Sequence, residues 1–142
     1  MRARILAVLA FLSVLVPAAA FADGTCKVVL IRASHGTGGI EARLQKIRPL
    51  AQPPLSLFRE MRLLDEKEMS LSGGNASTVR LSNGWSLRLR EAGRSPEGTS
   101  YAAEVHRPGS TDRIRFTAAP GAPFFTVIQR GQEAFILGFT CQ

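Results

Sequence analysis

The sequence predicts a mainly β protein: an antiparallel β-sandwich or flattened barrel of about eight strands, with one short N-terminal helix packed on it. Three observations predict this. Apolar and polar residues alternate with a period of two through most of positions 77–116. The runs at 27–33 and 134–140 are apolar on both faces, as strands covered twice must be. Turn residues separate the runs, at Asn83-Gly84, Pro108-Gly109, Pro120-Gly121-Ala122-Pro123 and Arg130-Gly131-Gln132.

The N-terminus stands apart from this pattern. Arg2 and Arg4 precede an apolar run at 5–16 that only Ser13 interrupts. Pro17 follows, and Ala20-Phe21-Ala22 offers small residues at the two positions a signal peptidase reads. These features predict a cleavable signal peptide at 1–22 and one exported domain at 23–142, periplasmic or secreted. The run is shorter than the roughly 20 apolar residues a spanning helix needs. No other run reaches that length, so no transmembrane segment is expected after cleavage. Cys26 lacks a lipid-attachment frame, because Thr25 directly precedes it and Asp23 lies where a leucine is usual.

Charge and cysteine content narrow the function classes. The chain has 18 Lys+Arg, 11 Asp+Glu and a net charge of +7, two of which leave with Arg2 and Arg4. A moderate excess, mostly arginine, favours anionic partners and keeps a domain in solution. Cys26 and Cys141 are the only cysteines, and in an oxidising compartment they have one intramolecular connection open to them. They form no C-x-x-C pair and match no zinc spacing with His35 and His106. Neither a metal nor a cofactor is expected.

The elements follow in order. Positions 27–33 (KVVLIRA) form a first strand. A glycine-rich loop, 34–39, leads to a helix at 40–48, where Ile40, Leu44 and Ile47 share a face and Glu41 suits the positive helix end. Pro49, Pro53 and Pro54 end it. The run at 57–64 is read as a strand that bends near Asp65, leaving Asp65, Glu66 and Glu68 in a polar turn. The hairpin at 77–90 has two registers open to it. A two-residue turn would set Leu81 opposite Ser86. A three-residue loop, Ser82-Asn83-Gly84, pairs Leu81 with Trp85 and Val79 with Leu87 and gives one apolar face, which requires Gly84 in the left-handed region. Tyr101, Ala103 and Val105, then Ile114 and Phe116, mark two further half-wet strands, and 124–128 and 134–140 are dry on both faces. If the first and last strands pair antiparallel, Cys26 lies opposite Cys141, Val28 opposite Phe139 and Leu30 opposite Leu137. The helix is the element free to cover the outer face of that sheet.

Two groups of residues are candidate binding elements. Ser34-His35-Gly36-Thr37-Gly38-Gly39 leaves a strand and enters a helix, where His35, Gly36 and Gly38 could admit an anion; it lacks the P-loop lysine and the dinucleotide-binding frame. Ser34 and His35 are neighbours on an extended chain, so they face opposite ways and make no nucleophile–base pair by themselves. The second group is Arg80, Arg88, Arg90, Arg113 and Arg115, all on wet strand faces. They form a basic stripe if the two hairpins are neighbours, with Glu91, Glu104 and Asp112 near enough for cross-strand ion pairs. No aromatic residue interleaves with them, which disfavours a nucleic-acid platform.

The order Ile31-Arg32-Ala33-Ser34, glycine loop, Gly39-Ile40-Glu41-Ala42-Arg43-Leu44, Leu63-Leu64, Leu81-Ser82-Asn83-Gly84, Pro120-Gly121-Ala122-Pro123-Phe124-Phe125 and Phe135-Ile136-Leu137-Gly138 resembles a family of small uncharacterised exported proteins of Gram-negative bacteria. The resemblance implies a periplasmic location and carries no assigned activity; the cysteines are not part of it. Together these readings predict a non-enzymatic module that binds or assembles with another envelope component, a protein partner first. Polyanion binding through the arginines is the second reading and a small hydrolase using Ser34 or His35 the third.

Overall fold

Alternation and turn chemistry produce two four-stranded antiparallel sheets. The structure, a computed structural model, describes residues 24–142; the expected leader and its cleavage site lie outside the described residues. The strands are β1 (Gly24–Ser34), β2 (Glu60–Leu71), β3 (Ser77–Arg80), β4 (Ser86–Ser95), β5 (Gly98–Arg107), β6 (Ser110–Ala118), β7 (Pro123–Arg130) and β8 (Glu133–Cys141). One sheet has the order β2-β1-β8-β7 and the other β3-β4-β5-β6. The chain therefore changes sheet twice, between β2 and β3 and between β6 and β7. The main core lies between the sheets, with Trp85, Phe139, Leu30, Leu87, Leu89 and Leu137 fully buried.

The terminal strands pair as their apolar patterns require. Cys26 is opposite Cys141, Val28 opposite Phe139 and Leu30 opposite Leu137, and all six belong to the core between the sheets. Cys26 and Cys141 are joined in a disulfide across a separation of 115 residues. The outward residues of the same strands are dry because a second cluster covers them. Ile31, Ala33, Ile136 and Ala134 pack under Leu44, Leu50, Leu55 and Phe58. Gly138 also faces outward, and a β-carbon there would overlap Phe125 and Val29, so β8 keeps a glycine where neighbouring side chains close over it.

The covering segment contains less helix than its periodicity predicts. The expected helix at 40–48 is confined to α1 (Ala42–Gln45), followed by 3-10 turns at Arg48–Ala51 and Leu55–Leu57. Two competing demands shorten it. Ile40 forms a parallel bridge with Met61, which holds the start of the segment extended. Pro49 has no N–H to continue an α-helical ladder, and the chain turns extended at Ile47 before Arg48 opens a new 3-10 turn. The apolar face is used as predicted, but mostly by turns.

The polar turn expected at Asp65–Glu68 is instead the middle of a long strand, and the strand expected from position 57 begins at Glu60. β2 pairs with β1 from Glu60 to Leu71, with Glu66 ion-paired to Lys27. Charges on an edge strand block pairing with other chains, so a charged run does not exclude a strand. The bend survives as a β-bulge. Leu30 faces Asp65 and Ile31 faces Leu63, which leaves Leu64 as the extra residue. Asp65 then crosses to the other sheet: Ser82 donates its backbone N–H to Asp65 Oδ2 at 2.8 Å, and the Ser82 hydroxyl donates to the Leu64 carbonyl at 3.1 Å. The hairpin at Ser82 takes the three-residue loop. Val79 pairs with Leu87, Leu81 N–H donates to the Trp85 carbonyl at 2.8 Å, and Gly84 has φ of 87°.

Candidate anion-binding face

The two hairpins are neighbours in one sheet, so the arginines do form a continuous surface. On the outer face the strand registers lay out three rows. Arg80 and Ser86 lead to His106 and Thr111; Thr78 and Arg88 lead to Glu104 and Arg113; Arg90 leads through Ala102 to Arg115. All five arginines are exposed. Glu104 is the only carboxylate at an outward strand position of this sheet among the described residues. Its Oε1 lies 3.8 Å from Arg113 Nε and its Oε2 lies 3.4 Å from His106 Nε2. Among the described residues, Arg80, Arg88, Arg90 and Arg115 have no carboxylate within 4.0 Å. A shallow depression of about 120 Å³ opens at the centre, lined by Ala102, by Arg88, Arg90, Arg113 and Arg115, and on one side by Glu104. Chemically the surface is a cluster of forked hydrogen-bond donors on a rigid sheet, the arrangement that suits oxyanions.

Two of the acids expected to neutralise the stripe are engaged elsewhere. Glu91 continues the inward parity of Leu87 and Leu89 and is 6% exposed. Its partner is Arg94, whose Nε donates to Glu91 Oε1 at 2.7 Å inside the same strand. That carboxylate holds the Arg94 guanidinium more firmly protonated than usual, and burial raises the phenol of neighbouring Tyr101 above its ordinary range. Asp112 is inward as well and accepts from Arg107 Nε at 2.7 Å, while the Arg107 guanidinium lies 5.5 Å from the Trp85 ring centre. The sandwich is thus closed near each end by an arginine–carboxylate pair, and both acids leave the outer face to the cations.

The glycine-rich loop is filled by the chain's own carboxylate. Ser34 donates its hydroxyl to Glu60 Oε2 at 3.3 Å, and Gly36 N–H donates to Ser34 Oγ at 3.2 Å. A β-carbon at Gly36 or Gly38 would overlap the Glu60 carboxylate. The glycines thus make room for Glu60. His35 is stacked on Phe58 with ring centres 5.2 Å apart, and its Nδ1 lies 3.1 Å from the Leu57 carbonyl, to which it donates. Ser34 and His35 therefore engage different partners. His106 lies on the other sheet, with Nδ1 3.1 Å from the Thr111 hydroxyl. Sequence reasoning placed the arginines correctly on one face but overlooked Ala102, whose small side chain opens the depression. The signal was available, since Ala102 sits at an outward position flanked by longer residues.

Comparison with protein-family models, with curated proteins and with solved structures gives no match.

Proposed function

We propose that this protein is an exported, non-catalytic β-domain that binds an anionic component of the cell envelope through the outer face of β3–β6. One observation carries the reading: five exposed arginines share one sheet face that has a single carboxylate among its outward strand positions, among the described residues. Like charges held this close repel one another, and an anionic partner removes that cost. The loop at His35 borders a wider cavity of about 460 Å³, but the charged residue lining it is Glu133, and Glu60 fills the glycine turn beside it. The leader-like pattern at positions 1–22 and the buried disulfide support the location.

The test is calorimetric titration of the mature domain with dextran sulfate at rising salt. Binding should weaken steeply, because each neutralised anion releases condensed counterions. Absence of binding at low salt, or an affinity indifferent to salt, would remove the reading.

A further inference from the structure

The arginines around Ala102 are not equivalent, and their difference singles out one socket within the face. Arg88 and Arg113 flank Glu104, and Arg113 reaches its carboxylate. Arg90 and Arg115 flank Ala102 instead, and neither has a carboxylate within 4.0 Å among the described residues. Two strand spacings, about 10 Å, separate their backbones, and an extended arginine side chain reaches beyond half that distance. Ala102 presents only a methyl group between them, so both guanidinium groups can close over the depression from opposite sides. At the next outward row of the same strands, Ser100 and Thr117 hold their hydroxyls 2.9 Å apart, leaving that flank polar and uncharged.

The number of acceptor oxygens then selects the ligand. One guanidinium fork uses both oxygens of a carboxylate. A phosphate or sulfate monoester has three free oxygens, enough to accept from two forks on opposite sides. Resting on the function proposed above, we infer that Arg90, Ala102 and Arg115 form a socket for a pendant phosphate or sulfate monoester of an anionic polymer. A polymer suits the face better than a membrane does. The large apolar residues exposed among the described residues, Leu57 and Leu64, both belong to the other half of the sandwich, so this face offers no apolar side chain to insert into a bilayer.

The socket is tested with Ala102→Leu, which fills the depression and leaves the charge unchanged. Titrations would use dextran sulfate and carboxymethyl dextran of matched charge density, with thermal unfolding as a check on folding. The expected result is about a tenfold weaker affinity for dextran sulfate, the size of one lost charge-assisted contact, with a salt slope reduced by about one and little effect on carboxymethyl dextran. A second pair of variants does not depend on how leucine packs: Arg90→Gln with Arg115→Gln should cost more sulfate affinity than Arg88→Gln with Arg113→Gln. Equal losses in both pairs, or no preference of the wild type for sulfate over carboxylate, would overturn the socket while the arginine face stood. Failure of the wild type to bind either polymer would overturn the face itself. Binding to phosphatidate vesicles with no binding to soluble polymer would overturn the assignment of a polymer.

Discussion

Replacing Cys26 and Cys141 together by alanine tests how the terminal strands are held. The disulfide closes a loop spanning 115 residues. In the chain-entropy account a loop of that length removes about 5 kcal/mol of freedom from the unfolded chain, and typical losses on removal are about 2–4 kcal/mol. The side chains are 1% and 3% exposed, so alanine is chosen to avoid burying an unpaired hydroxyl. Urea unfolding of the variant and of the oxidised wild type measures the difference. With a slope of about 2 kcal/mol/M, the midpoint should fall by about 1–2 M. Reduced wild type should unfold with the variant. Amide exchange at Val28, Leu30, Leu137 and Phe139 should remain the slowest in the chain, because their apolar pairing fixes the register independently of the bond. An unchanged midpoint would refute the reasoning, as would loss of protection at those four amides in a variant that still folds.

Three further outcomes follow from individual contacts. Gly84→Val forces a β-branched residue to a φ of 87° and should lower stability by about 1–3 kcal/mol, read from the urea midpoint. Asp65→Ala removes the acceptor of the Ser82 N–H; a loss of about 1.5–3 kcal/mol is expected for a bond to a charged group, with faster exchange at the Ser82 amide. Glu41 has its pKa lowered, first by the Arg43 side chain and then by the Leu63 N–H. A carboxylate held below its unfolded value lends stability that is complete above the unfolded pKa and drains away as pH falls through the folded one. Acid titration should therefore destabilise wild type more than Glu41→Gln below the usual carboxylate range, and parallel acid profiles would contradict this.

The strands legible in the sequence were those with a rule acting within them or between the two ends. The parity of Val79, Leu81, Trp85, Leu87 and Leu89 determined the hairpin loop, and matching apolar faces brought Cys26 to Cys141. The helix at 40–48 was over-read because its period was visible and the competing bridge from Ile40 to Met61 was not. Asp65–Glu68 was misread because charge was taken to mean a turn, although an edge strand tolerates charge. Glu91 was misplaced for a related reason: its parity with Leu89 pointed inward, but its chemistry suggested the surface. The arginine face was legible by parity, subject to the two hairpins being neighbours. The glycine loop was not legible, because its occupant, Glu60, comes from a distant part of the chain.

The most direct measurement is a two-dimensional NMR titration of the labelled mature domain with a short sulfated oligosaccharide. Shift changes should centre on the Arg90, Ala102 and Arg115 amides and on the guanidinium Nε–H signals of Arg90 and Arg115, fade toward Arg80 and be absent from the His35 loop. Shifts centred on the His35 loop or on the first sheet, or none at saturating ligand, would contradict the claim that this face is the binding surface.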